Sequence, residues 1–112
     1  MSPWLAVLLL ASAGEVQRKT PPWEKGEYER WGLELYREHC AVCHDVDRSK
    51  TRKMGPSLHR LFKNEKLPLS GGKPSRPYVE VKIKFGGQLM PAFVKRMTDA
   101  EIAALIAFLE TK

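Results

Sequence analysis

Long apolar runs are missing from this chain of 112 residues. The longest apolar segment, residues 4–13, would rise only about 15 Å as a helix, whereas the hydrocarbon core of a bilayer is about 30 Å thick. We therefore expect no transmembrane span. No cysteine lies near that segment, which excludes a lipid anchor attached through a thiol there.

Internal repeats, low-complexity stretches and a clear β pattern are also absent. A chain of this length forms one domain and buries only ~60–70% of its unfolded surface, so its core is thin. Acidic residues are the minority, since 13 Asp and Glu against 19 Lys and Arg give a formal net charge of +6. That balance suits an acidic protein partner, an anionic membrane or nucleic acid. Because no nucleic-acid recognition motif is present, we expect no nucleic-acid partner.

Cysteine is scarce, and both cysteines lie in one motif, Cys40-Ala41-Val42-Cys43-His44. The C-x-x-C-H pattern is typical of c-type haem attachment: each thiol adds across one vinyl group, and the histidine becomes an axial ligand of the iron. C-x-x-C alone would also fit a redox dithiol or half of a zinc site. A redox dithiol needs a surrounding βαβ pattern, which is not visible. A zinc site needs two further ligands, and only His39 and His59 remain. The motif therefore predicts one covalent haem c.

A second axial ligand is predicted at Met90, in the segment 86–93. Gly86 and Gly87 let the backbone come close, and Pro91 stiffens the chain just after the methionine. Such a rigid turn would hold a thioether sulfur on the iron. The other candidates are two further methionines, two histidines and the lysines. We interpret those two methionines, Met54 and Met97, as side chains that fill gaps in the core.

Helical spacing of apolar residues predicts a first helix over residues 26–40 and a last helix over the run that follows Thr98-Asp99-Ala100-Glu101. That tetrapeptide has the pattern of a capping box. Gly32 costs the first helix about 1 kcal/mol relative to alanine, so another helix should approach closely there. Residues 67–77 predict a loop. Residues 77–85 fit a helix that begins at Pro77, although the alternation of Val79, Val81 and Ile83 would also suit a strand.

Taken together, residues 26–112 resemble a class I monohaem cytochrome c. Cys40, Cys43 and His44 match its attachment motif, and Met90-Pro91 matches its methionine turn. Further matches lie in the terminal helices, at Gly32, Tyr36, Leu105 and Phe108. The resemblance implies an all-α, small cytochrome c fold, in which three to four helices wrap around one covalent haem. It also implies that the N- and C-terminal helices cross at Gly32, with Tyr36 and Phe108 near the contact.

The segment 55–62, Gly-Pro-Ser-Leu-His-Arg-Leu-Phe, resembles the family's Gly-Pro-Asn-Leu-His-Gly-Leu-Phe. By that match, the Pro56 carbonyl accepts a hydrogen bond from the His44 ring, which orients the ligand and raises its basicity. His59 would then be structural. The stretch 71–77 departs from the family pattern, so Arg76 and Tyr78 are candidates only for contact with the haem propionates.

The N-terminal region predicts an export signal over residues 1–13, with a small-residue cleavage site at Ala11-Ser12-Ala13. The usual preceding Lys or Arg is missing, and the alternatives are a retained apolar arm or a wrongly assigned start. The polar composition of residues 14–25 predicts a linker or N-terminal arm, in which Trp23 is the one large apolar residue. Because the resemblance implies haem attachment outside the cytoplasmic membrane, we expect a periplasmic protein.

Ligation by histidine and methionine closes both axial positions, so we expect an electron carrier and not an enzyme. The alternatives are a haem c subunit of a larger periplasmic oxidoreductase and a haem-based ligand sensor. One interpretation of the lysines is a ring around the haem edge that binds redox partners with acidic docking surfaces. The alternative interpretation, of equal weight, is that the lysines only keep the domain soluble. The candidates for the ring are Lys50, Lys53, Lys63, Lys73, Lys82, Lys84 and Lys95.

Overall fold

The computed structural model describes residues 25–67 and 70–112, which contain three α-helices and no β-strand. These are α1 (Lys25–His39), α2 (Arg76–Phe85) and α3 (Asp99–Leu109). The predicted all-α class is confirmed. No helix in the described ranges is long and apolar enough to cross a membrane. The predictions of an export signal at 1–13 and of an arm that includes Trp23 lie outside the described residues.

The first and last helices cross at Gly32. A Cβ atom at this position would overlap the carbonyl oxygen of Ala104 and lie 2.7 Å from Cβ of Phe108. The ring centroids of Tyr36 and Phe108 are 5.5 Å apart beside the crossing. Only a glycine allows the two backbones to come this close, which is the reason that the helix tolerates its low propensity.

The capping box predicted ahead of α3 forms both of its hydrogen bonds. Thr98 Oγ1 accepts from the Glu101 backbone N–H at 3.1 Å, and Glu101 Oε1 accepts from the Thr98 N–H at 2.9 Å. The helix that follows supplies the centre of the core, where Ile102 and Leu105 are fully buried. A helix that is apolar on most sides is covered on most sides, as expected for a core element.

Residues 77–85 are helical, which resolves the ambiguity between helix and strand. Val79 and Ile83, four positions apart, are buried, whereas Val81 is 55% exposed. The period-two alternation is therefore coincidental, and the i, i+4 pair makes the packing contact. The helix begins one residue before Pro77 because Ser75 caps it, accepting from the backbone N–H of Tyr78 at 3.2 Å.

Candidate functional site

The C-x-x-C-H motif forms a tight turn directly after α1. The backbone N–H groups of Cys40 and Ala41 both donate to the carbonyl oxygen of Tyr36, at 2.8 and 2.9 Å. The N–H of His44 then donates to the carbonyl of Cys40 at 3.0 Å. The helix end and the turn are thus one hydrogen-bonded unit, which holds both cysteines and the histidine in fixed positions relative to α1.

The two thiols are free and differ in exposure: Cys40 is buried, and Cys43 is partly buried. Burial, followed by the neighbouring Cys43, raises the pKa of the Cys40 thiol to about 12. A reactive dithiol needs a stabilised thiolate and therefore a lowered pKa. The environment of Cys40 does not stabilise a thiolate at this position.

The imidazole of His44 is held by Pro56. Nδ1 of His44 lies 2.7 Å from the Pro56 carbonyl oxygen, which is the contact that the sequence resemblance implied. A carbonyl oxygen only accepts, so Nδ1 carries the proton and Nε2 keeps its lone pair for a metal ion. Gly55 makes room for this geometry, because a Cβ atom there would lie 2.5 Å from Cε1 and 2.7 Å from Nδ1 of the ring.

The backbone carbonyl of His44 is anchored from two sides. The Tyr36 hydroxyl donates to it at 2.7 Å, and the Lys53 ammonium donates at 3.3 Å. Lys53 also donates to the carbonyl of Ala41 at 2.5 Å and lies 3.4 Å from Oδ1 of Asp45. A cation beside the carbonyls that follow a helix is electrostatically favourable. Sequence reasoning missed this role, since one lysine in a basic loop looks like any other.

The turn before Met90 is closed as its glycines predicted. Gly86 has φ 68°, and a Cβ atom there would overlap the Met90 carbonyl oxygen and lie 2.8 Å from the carbonyl carbon of Pro91. The Gly87 N–H donates to the Met90 carbonyl at 3.0 Å. The Met90 side chain is partly buried and packs against the hydrophobic core. The chain just after the turn is tied back to α2, because the Phe93 N–H donates to the Ile83 carbonyl at 3.1 Å.

The two other candidate methionines, Met54 and Met97, differ in burial. Met97 is 5% exposed and belongs to the core, as predicted. The prediction that Met54 fills a gap in the core is wrong, because its side chain is 72% exposed. Met54 follows the basic stretch 48–53, which supplies no apolar neighbour to cover it. His59 is structural in its contacts, with Nδ1 donating to the Val46 carbonyl at 3.1 Å.

Several predicted surface cations are already paired. Arg76, a candidate for propionate contact, lies 3.3 Å from Oε1 of Glu110 through its Nε atom, and the other candidate, Tyr78, is exposed. Lys84 pairs with Glu80 at 3.0 Å and with Asp99 at 3.1 Å, so it offers little free charge to a docking ring. Among the seven lysines predicted for the ring, those that are exposed and form no ion pair within the described ranges are Lys50, Lys63, Lys73, Lys82 and Lys95.

The donor set fits a covalently held haem better than a bare metal ion. Within residues 25–67 and 70–112, no group of three or more His, Cys, Asp or Glu side chains is arranged to hold a metal ion. A thioether-linked porphyrin requires two free thiols and an adjacent histidine that can bind iron. Cys40, Cys43 and His44 meet this requirement, because the Nδ1–H of His44 makes its hydrogen bond to Pro56.

Crossed terminal helices and a C-x-x-C-H turn directly after α1 define a c-type haem protein. Residues 28–109 match the family described as cytochrome C oxidase, cbb3-type, subunit III, and the chain belongs to this cytochrome c family. The chain is also 33% identical over 63 residues to "Cytochrome c" of Kluyveromyces lactis, an alignment that covers 56% of this chain and 53% of that protein. The chain thus spans about half the length of the curated relative that it matches. Family membership implies a covalent haem c, as the attachment motif predicted.

Proposed function

We propose that this protein transfers single electrons between redox partners on one haem c attached through Cys40 and Cys43. The observation that carries the proposal is the His44 ring, whose Nδ1 donates to Pro56 at 2.7 Å while the adjacent thiols remain free. Membership of a cytochrome c family supports the same class of function. Bound haem supplies a redox centre that exchanges one electron, and the protein supplies its attachment, orientation and surroundings.

In this proposal, His44 and Met90 would hold the haem iron, His44 through its ring nitrogen Nε2 and Met90 through its thioether sulfur. The Pro56 hydrogen bond orients the His44 ring with its Nδ1–H on the carbonyl oxygen, and the closed turn from Gly86 to Pro91 restrains Met90. A thioether ligand stabilises ferrous iron and raises the reduction potential. If both residues hold the iron, no position would remain for a substrate, so we propose a carrier that exchanges electrons and catalyses no reaction of its own.

Replacement of Met90 by alanine tests the ligation. We expect the reduced M90A protein to bind carbon monoxide at neutral pH and to have a markedly lower reduction potential, because an axial position opens. Met54→Ala is the matched control, since Met54 is exposed, and it should leave both properties unchanged. Unchanged spectrum and potential in M90A would overturn the ligand assignment. Carbon monoxide binding by the reduced wild type would instead favour a ligand sensor.

The location and assembly of the carrier form the second part of the proposal. Residues 1–13 are removed on export, residues 14–25 form a linker or arm, and residues 26–112 act in the periplasm. The family description is compatible with a free carrier and equally with a haem c subunit of a larger oxidoreductase. Size fractionation of native extracts, with haem staining and N-terminal mass spectrometry, separates these cases. A soluble haem protein of monomer size that begins after Ala13 supports the exported carrier.

The partners of this carrier present acidic docking surfaces. The net charge of +6 and the exposed, unpaired lysines support this choice, because charge attraction speeds the encounter of oppositely charged proteins. The rate of electron exchange with a partner should therefore fall as the ionic strength rises. A rate that does not change with salt would contradict electrostatic steering.

A further inference from the structure

Helix α2 has a second apolar side that the fold does not use. Val79 and Ile83 face the core and are 6% and 5% exposed. Tyr78, Val81 and Phe85 follow one another at spacings of three and four residues, so they share a different side of the same helix. Their exposed fractions are 42%, 55% and 63%. Burial in the core therefore does not account for the choice of apolar residues at these three positions.

The turn that follows α2 and carries Met90 adds one more exposed apolar residue. Leu89, the residue before Met90, is 77% exposed. The Lys82 ammonium lies over the same turn, 2.7 Å from the position that a Cβ atom on Gly87 would occupy. Lys82 forms no ion pair with any residue in the described ranges. We call the set Tyr78, Val81, Lys82, Phe85 and Leu89 the outer patch.

The composition of the outer patch is that of a recognition surface. Single exposed apolar residues are ordinary, but several along one helix and its following turn are a feature of interaction sites. Aromatic side chains are enriched at the centres of protein interfaces. The neighbouring Lys84 is neutralised by Glu80 and Asp99, which leaves Lys82 as the free charge on this part of α2.

We propose that the outer patch docks a redox partner protein whose contact surface has an apolar centre and a carboxylate that meets Lys82. This inference rests on the proposed function, because it is the closeness of the patch to the Met90 turn that makes docking there useful for electron transfer. Charge favours an acidic partner protein over a second copy of this chain. A second copy would bring two unpaired Lys82 ammonium groups to one interface, whereas an acidic partner neutralises the charge.

The test compares holoprotein variants in electron exchange with washed membranes of the native host. The double variant Phe85→Gln/Leu89→Gln removes the apolar centre without changing the charge, and Lys82→Gln removes the cation. Met54→Gln is the control, being an exposed apolar residue outside the patch. We expect the second-order rate of oxidation to fall at least about fivefold in the double variant, because such anchors dominate binding. Lys82→Gln should lower the rate and its salt dependence, and the control should match the wild type.

Two further measurements separate the possible outcomes. Oxidation by hexacyanoferrate(III), a small oxidant that needs no docking surface, should proceed at a similar rate in the wild type and the double variant. If the wild type and the double variant are oxidised by host membranes at equal rates, the docking proposal is overturned and the carrier function is unaffected. A wild type that exchanges no electrons with the membranes would overturn the proposed function itself. Two other results would overturn the proposal. If the wild type binds phosphatidylglycerol vesicles and the double variant does not, the patch binds a lipid surface. If the wild type dimerises in sedimentation and the double variant does not, the patch binds a second copy of this chain.

Discussion

The hydroxyl of Tyr36 donates a 2.7 Å hydrogen bond to the backbone carbonyl of His44, eight residues further along the chain. The same ring packs against Phe108 of α3, with 5.5 Å between the ring centroids. One side chain therefore touches both the crossing of the terminal helices and the histidine of the attachment motif. Stability of the helix pair and placement of the histidine are coupled through it.

Tyr36→Phe should lower the free energy of unfolding of the holoprotein by about 0.5–1.5 kcal/mol, because one hydrogen bond is lost while the ring packing stays. The His44 carbonyl still accepts from Lys53 at 3.3 Å, which limits the loss. Denaturant titration measures the change. Tyr78→Phe is the control, since Tyr78 is exposed and its hydroxyl has no hydrogen bond to a described residue. A destabilisation of equal size in both variants would contradict a specific role for the Tyr36 hydroxyl.

Gly32→Ala should destabilise the protein by about 1–3 kcal/mol, although alanine is the better helix former. The added methyl group would overlap the Ala104 carbonyl and lie 2.7 Å from Cβ of Phe108, so the two helices must move apart. Gly26→Ala is the matched control in the same helix, because its Cβ atom would meet nothing within 4 Å. Thermal or denaturant unfolding measures the free energy of unfolding of each variant. We expect this free energy to fall in G32A and to stay the same or rise in G26A. Equal stability of G32A and the wild type would show that the crossing tolerates a side chain.

Gly55→Ala should disturb the His44 ring, since the new Cβ atom would lie 2.5 Å from its Cε1. If the ring tilts, the bond to Pro56 weakens and the basicity and orientation of the proposed iron ligand change. The readout is the set of paramagnetically shifted histidine resonances in the NMR spectrum of the oxidised protein, together with the reduction potential. Gly72→Ala, where the nearest atom is 3.5 Å away, should leave both unchanged. Identical spectra for G55A and the wild type would count against the role of Gly55.

Protonation of Asp47 should cause a small loss of stability in acid. The hydrogen bond from the Lys112 ammonium, 2.8 Å from Oδ1, is the main cause that holds the pKa of Asp47 below its ordinary value of 3.8. Because the pKa is lowered in the folded state, the pair stabilises the protein fully above that ordinary value and is lost as the pH falls through the folded pKa. The pair is exposed, so the effect is small and is screened by salt. Unfolding measured at a series of pH values should show a weaker acid dependence in Asp47→Asn than in the wild type. An equal acid dependence in the two proteins would contradict the role of this pair.

Local signals in the sequence predicted the features that depend on near neighbours. The capping box at Thr98 needs only residues 98–101, and the attachment motif needs only residues 40–44, so both are legible in the chain itself. Gly32 was informative for a different reason: an unfavourable residue in a helix requires a compensating contact, and the resemblance indicated which helix supplies it.

Long-range polar contacts escaped prediction because nothing in the pattern distinguishes their members. Lys53 looks like one more cation of a basic loop, yet it caps the carbonyls of Ala41 and His44. Arg76 pairs with Glu110 across 34 positions of sequence, which no periodicity encodes. Met54 was wrongly assigned to the core for the related reason that hydrophobicity alone does not say whether a loop residue has neighbours.

The segment between His44 and Pro56 is pinned at both of its ends. The Gly55 N–H donates to the Cys43 carbonyl and the Leu58 N–H to the Asp45 carbonyl, each at 2.7 Å. These bonds use the backbone, so they do not depend on which side chains lie between them. The exposed residues Arg48, Ser49, Lys50 and Arg52 can therefore change in charge or size while the histidine stays in place. Thr51 is the exception, because its Oγ1 accepts from the Lys53 N–H at 3.0 Å. Substitutions at these exposed positions, whether natural or engineered, would change which partners the surface binds without moving the histidine of the attachment motif.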